Sequence, residues 1–299
     1  MWSVNLEPVS PPCKEGRSAY GIRGGFSLKI ACWKGEDMLA FRRSGELQNK
    51  ERTMSWLGIF GGDPDKKRDK QVAKSAAVVK NPHSQPQERS RQLGILAQIG
   101  SMSAVTAILG RFAMRTDGAI VDEDEKRQAF ESLVELGEIC VAPIQQFIRR
   151  ETHVYWPLRA LTQIAGDDVA VDTVLQALAD TEEGFGSEIE RREQLASNLR
   201  EYNRNDRAFE KLVELASDEN VDVRTMAIDG LPEFERPEVV DVLVARLEEP
   251  EETQRIKMTV LDILMARAVP VKDHRDRVAP HLGEMFFIDG TGMIQRRDS

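Results

Sequence analysis

Two columns of small or apolar residues recur along this chain at a near-constant interval. Leu93, Ala129, Leu161, Leu195, Ala227 and Val260 stand 32 to 36 residues apart. Four residues on from each come Ala97, Leu133, Ala165, Leu199, Leu231 and Leu264. An i, i+4 pair lies on one face of an α-helix, so each repeat offers one buried stripe. The interval leaves room for a second helix and two turns before the stripe returns. A single pair of helices cannot bury its apolar face alone; stacked neighbours supply the missing surface. The pattern therefore predicts an all-α chain, an α-solenoid of about six helix pairs.

The first helices are expected near 88–99, 124–136, 155–165, 188–202, 221–231 and 252–267. The second helices are expected near 102–114, 138–149, 168–179, 205–216, 236–248 and 273–283. Breaks fall at Gly100, Gly137, Gly166, the cluster from Pro232 to Pro237, and Pro270. Residues 115–124, RTDGAIVDED, form a longer connection than the others. From Phe286 to Ile294, aromatic and β-branched residues flank a Gly-rich turn, which predicts a short hairpin or extended tail. A terminal repeat needs a cap, and residues 284–299 are placed to provide it.

The clearest copy is DENVDVRTMAIDGLPEFERPEVVDVLVARLEE, residues 218–249. Val223, Ala227 and Leu231 share one helical face, and Asp218 and Asp222 suit the positive end of that helix. Pro232 and Pro237 break the chain. Val239, Val240, Leu243, Val244 and Leu247 then line the second helix. The opening Asp-x-x-x-Asp-Val-Arg-x-x-Ala, Asp218 to Ala227, resembles the start of a HEAT repeat.

The upstream region reads differently. Residues 1–53 mix Pro, Gly, Cys and Trp without a period of 2 or 3.6, and are expected to be disordered or to precede the native start. Lys50-Glu51 can be encoded by a purine-rich ribosome-binding sequence, so translation is expected to begin at Met54; an intact native mass that includes residues 1–53 contradicts this. Residues 54–87 then form a basic segment and linker, with Lys66, Lys67, Arg68, Lys70 and Lys74 ahead of Pro82 and Pro86. Trp56, Leu57, Ile59 and Phe60 make a short apolar cluster. Beside the basic run it supports weak contact with a membrane surface; a frayed segment or short helix whose aromatics dock on the first repeat is the plainer expectation.

Charge narrows the partners. The chain carries net −9, but residues 88–299 hold 26 Lys and Arg against 41 Asp and Glu. A field of that sign repels phosphate backbones, so nucleic-acid binding is not favoured there. Cys13, Cys32 and Cys140 are scattered and odd in number, which fits a reducing, cytoplasmic setting rather than a disulfide framework. No apolar run approaches the roughly 18 residues of a membrane span.

Catalytic chemistry finds no foothold in the motifs. No phosphate loop, G-x-S-x-G or Cys/His cluster occurs, and no cofactor is expected. His83, His153, His274 and His281 are followed by Ser, Val, Arg and Leu. The His-Glu pairs of the HEAT-repeat deoxyhypusine hydroxylases are absent. VDEDEKRQ, residues 121–128, is the densest acidic stretch. It lacks the spacing of a calcium loop, and is expected to be a solvated helix start with Asp122 as cap and Glu125 three residues on.

Partner-binding residues are easier to nominate. In Tyr155-Trp156-Pro157-Leu158-Arg159, Trp156 and Arg159 are three apart, so the guanidinium can stack on the indole. Trp, Tyr and Arg dominate interaction hot spots. The alternative is a Trp wedged between repeats, with Arg159 satisfying a helix terminus. Phe185, between glycines in a loop, is a candidate exposed aromatic. Second helices commonly line the concave side of a solenoid. Here they carry Asp167, Asp168 and Asp172, then Asp206, Glu210 and Glu214, then Glu238, Asp241 and Glu248. This predicts an acidic stripe for a basic or amphipathic protein partner.

From Met54 to Arg297, with RTDGAIVDEDEK, VYWPLRAL and FFIDGTGMIQRR, the chain resembles a group of bacterial HEAT-repeat proteins of unassigned function, of the kind found in myxobacteria. The resemblance implies a non-catalytic scaffold or adaptor and supplies no catalytic residues. By family analogy alone, a HEAT-like lyase or enzyme-maturation factor is the alternative. A nucleic-acid-binding HEAT protein is the second alternative.

Overall fold

A computed structural model of the chain describes residues 64–181 and 186–297. The proposed start at Met54 and the Trp56–Phe60 cluster lie outside the described residues.

The described chain is an all-α solenoid closed by a small hairpin. The first helices are α2 (Pro86–Ile99), α4 (Ala119–Leu136), α6 (Tyr155–Ala165), α8 (Ser187–Leu199), α10 (Val221–Gly230) and α12 (Gln254–Ala266). They alternate with the second helices α3 (Met102–Leu109), α5 (Val141–Ile148), α7 (Asp167–Ala179), α9 (Asp206–Leu215) and α11 (Glu238–Glu248). Along the first helices α2 packs on α4, α4 on α6, α8 on α10 and α10 on α12; along the second, α3 packs on α5, α5 on α7 and α7 on α9. All six residues of the leading apolar column, Leu93 to Val260, are fully buried. In the trailing column Leu133, Leu199, Leu231 and Leu264 are buried, while Ala97 and Ala165 remain partly exposed.

Several boundaries differ from expectation, and α3 for one stops at Leu109 and not near 114. The residues assigned to a basic segment and linker include a helix, α1 (Pro64–Val79), packed against α2 and α3. Its Val72 and Val79 enter the common core, and the buried Ser75 hydroxyl donates to Gln92 Oε1 at 2.6 Å. α4 begins five residues earlier than predicted, capped by Gly118 and not by Asp122. The second helix expected over 273–283 is reduced to α13 (Arg275–Val278) between two short 3₁₀ turns. That stretch buries only Val278 fully and Leu282 in part, and contains Pro280, so it cannot sustain a long amphipathic helix.

Local capping sets the register of the repeats. Asn220 caps α10 by accepting from the N–H groups of Asp222 and Val223, a role predicted for the neighbouring aspartates. Asn205 caps α9 in the same way, and Thr253 caps α12.

The chain ends in an antiparallel hairpin, β1 (Phe286–Ile288) with β2 (Ile294–Arg296), in register Phe286↔Arg296 and Ile288↔Ile294. Phe286 and Ile294 are buried, and β2 lies against α12. Asp289 closes the turn: its Oδ1 accepts from Thr291 N, Thr291 Oγ1 and Met293 N. These bonds, the Thr291 hydroxyl first, hold its carboxyl down to about 2. Gly292 sits at φ +86°, and a Cβ there would meet Lys272 Cγ at 2.3 Å, so any other residue would be strained and would displace that side chain. Gly292 O accepts from Val271 N at 2.8 Å, tying the hairpin to the loop after α12.

The acidic stretch 121–128 is not a solvated helix start. Glu125 is 4 % exposed and accepts from two buried guanidiniums, Arg89 on α2 and Arg111 after α3. Arg111 also donates to Asp122 Oδ1 at 2.7 Å, and Lys126 reaches Asp122 Oδ2 at 2.6 Å. The remaining guanidinium donors close on backbone oxygens: Arg89 on Pro82 and Ser84, Arg111 on Met114. The cations around this cluster are thus the protein's own. The network pins the loops 80–85 and 110–118 to the helix stack, which accounts for the long connection before α4. Burial pushes the Asp122 carboxyl up, but the bonds from Lys126, Arg111 and Thr116 outweigh it and hold the group well below the usual range.

Candidate protein-interaction surface

Tyr155, Trp156 and Arg159 sit on the first two turns of α6, where i, i+3 and i, i+4 spacing places them on one face. Pro157 is buried in the first turn, where its missing N–H costs no helical bond. The Arg159 guanidinium lies 5.3 Å from the Trp156 ring, 5.6 Å from Tyr155 and 5.7 Å from Phe130 of α4. Tyr155 meets Trp156 edge-on at 5.6 Å, and Phe130 lies 5.3 Å from Trp156. Arg159 Nη1 donates to Tyr155 Oη at 3.2 Å. Trp156 is half-buried against the core while Arg159 and Tyr155 are exposed, so the indole packs and the cation faces outward. The packing of the indole on Phe130 agrees with a Trp set between repeats. Arg159 does not satisfy a helix terminus; it lies on rings, an arrangement worth about 0.5–1 kcal/mol at an exposed site.

Beside this cluster runs a groove of about 280 Å³ between α6 and the end of α8. Thr162, Asn198 and Tyr202 line it, with Asp167 and Glu201 among its polar residues. The Thr162 and Tyr202 hydroxyls are 2.8 Å apart. Burial pushes the Tyr202 phenol up to about 12, against the pull of that hydrogen bond, so the groove keeps a neutral phenol at physiological pH. Arg159 makes no ion pair among the described residues, which leaves its edge available to an incoming carboxylate or carbonyl.

The acidic residues of the second helices behave otherwise than predicted. Most are bound to a basic residue one repeat further along. Arg207 of α9 pairs with Asp172 and lies 3.8 Å from Asp168, both on α7. Arg236, ahead of α11, pairs with Asp206. Arg277 of α13 bonds Glu248 at 2.7 Å and approaches Asp241 at 3.6 Å; His274 lies 3.7 Å from the same Asp241. The predicted acidic stripe is thus largely neutralised as staples between neighbouring repeats. Of the nine acids expected on that stripe, Asp167, Glu210 and Glu238 make no ion pair among the described residues. The first helices carry the same device: Arg255 bonds Asp222 at 2.6 Å, Arg224 bonds Glu252 at 2.8 Å, and Arg192 pairs with Asp218. Exposed pairs of this kind are worth little singly. Arg207→Ala is expected to change the unfolding free energy by less than about 1 kcal/mol, measured by urea denaturation.

A second surface was not foreseen in the sequence. α3 and α5 read MSAVTAIL and VAPIQQFI, without one ionisable side chain. Two adjoining depressions, of about 380 and 620 Å³, share Thr106, Pro143, Gln146 and Arg150. Together they make a furrow across the second helices from α3 to Gln176 of α7. The absence of charge from two whole helices was the available signal, but apolar helices read as core.

Phe185 lies outside the described residues. Among the described residues no group of three or more His, Cys, Asp or Glu side chains is placed to share a metal ion. Burial pushes the Cys140 thiol up to about 11, so it stays protonated and unreactive. No helix of the described residues is long and apolar enough to cross a membrane.

Comparison with known families agrees with the helix pattern. Residues 186–262 match the family model described as HEAT repeats, a span that takes in α8 to α11 and most of α12. No curated protein matches the chain.

Proposed function

We propose that this chain is a HEAT-repeat scaffold that binds another protein and performs no chemistry of its own. The observation that carries this reading is the outward-facing Arg159, held over Phe130, Tyr155 and Trp156 beside a groove and left without a carboxylate. Interaction hot spots concentrate Trp, Tyr and Arg, and a preformed cluster has little side-chain freedom left to lose on binding. The pairing of most second-helix acids within the solenoid shifts the expected contact away from a basic partner there. It favours instead a partner offering an acceptor to Arg159 and an apolar edge to Tyr155.

The test replaces Tyr155 by a photo-crosslinking amino acid in the full chain, expressed in the native organism. A single dominant adduct that disappears on additional Arg159→Ala substitution is the expected result. A diffuse set of adducts, unchanged by that substitution, would refute the reading.

A further inference from the structure

The furrow across α3, α5 and α7 deepens the scaffold reading, on which it rests, by naming a second partner surface and its chemistry. The Arg159 cluster belongs to the first helices; the furrow belongs to the second. Its walls are uncharged: Thr106 and Met102 from α3, Ala142, Pro143 and Gln146 from α5. Met102 is 52 % exposed and Ala142 and Gln146 are exposed, so apolar and amide groups face water together.

The charges at its border have a net sign. Asp180 is held by Arg149 at 2.8 Å, which cancels both. What remains is Lys80, Arg150 and Glu151. Neither Lys80 nor Arg150 makes an ion pair among the described residues. A chain of net −9 thus leaves a locally positive rim on its least charged surface.

The amides select the form of the ligand. Gln146 and Gln176 line the furrow and make no side-chain hydrogen bond among the described residues. A primary amide offers both a donor and an acceptor, the complement of a free peptide unit. A helix has already satisfied its own backbone groups; an extended segment has not. The geometry points to an extended segment of a partner protein, uncharged and apolar through its middle and carrying a carboxylate at the end that meets Lys80 and Arg150.

The test selects a displayed random-peptide library on the immobilised full chain. An enriched peptide is then measured by fluorescence anisotropy against the wild type, Ala142→Asp, Arg150→Glu, Glu151→Gln and Arg159→Ala. Peptides with Asp or Glu beside an uncharged run are expected. Ala142→Asp and Arg150→Glu should each weaken binding by about tenfold or more, Glu151→Gln should tighten it by about two- to threefold, and Arg159→Ala should leave it unchanged. Circular dichroism melts of Ala142→Asp and Arg150→Glu matching the wild type assign the loss to the surface. No enrichment, or enrichment of basic peptides, overturns the proposal. Binding that survives both furrow substitutions and falls with Arg159→Ala also overturns it, while leaving the Arg159 surface standing.

Discussion

Glu125→Gln is expected to lower the unfolding free energy by about 3–5 kcal/mol, to be read from the midpoint of a urea titration at unchanged slope. The carboxylate is the shared counter-charge of Arg89 and Arg111, which are 2 % and 0 % exposed. Neutralising it leaves two buried guanidiniums with only Asp122 and backbone oxygens for company. The control is Arg127→Ala, which removes the exposed pair with Asp124 on the same helix and should cost less than about 1 kcal/mol. The cluster also gives acid sensitivity a sign. The folded-state pKa of Asp122 is depressed, so its contribution is complete above its unfolded value, about 3.9, and is lost as pH falls through the lower folded value. Replacing Asp122 by Asn should therefore flatten the loss of stability below about pH 4.

Leu199→Ala is the second large effect, about 2–5 kcal/mol. Leu199 is fully buried at the end of α8, in the trailing apolar column, and α8 packs on α10. Truncating it opens a cavity at the seam between two repeats. In a stack where stability is the sum of each repeat and its interfaces, that loss falls on both neighbours. Ile120→Ala, at a residue 80 % exposed, removes more carbon from the surface than most substitutions and should shift the midpoint by less than about 0.5 kcal/mol. Equal losses from Leu199 and Ile120 would contradict the assignment of the columns to the core.

What the sequence disclosed about the fold was whatever repeats. The columns from Leu93 to Leu264 could be found because identical geometry recurs every repeat and demands similar residues. α1 is expected from sequence as no more than a frayed segment or short helix because its apolar positions, Val72, Ala76 and Val79, are few and small beside the charges of DKKRDK. The fate of 121–128 was hidden for another reason. Glu125 draws its partners from 36 and 14 residues away, and nothing local distinguishes a carboxylate bound by buried arginines from one facing water. The staples on the second helices were partly legible. Arg207 follows Asp172 by 35 residues and Arg236 follows Asp206 by 30, about one repeat in each case, so the arginines needed to neutralise the acidic stripe stood in register with it. The Tyr155-Trp156-Arg159 string could be singled out by spacing on one helix; Phe130, on the first helix of the repeat before, could not.

The scaffold reading rests on Arg159, and one measurement addresses it directly. Isothermal titration of the protein captured at position 155, against wild-type chain and Arg159→Ala, reports whether the cluster is an energetic anchor. A loss of about tenfold or more in affinity, with the thermal melt unchanged, is the predicted result. Equal affinities for the two chains would contradict it.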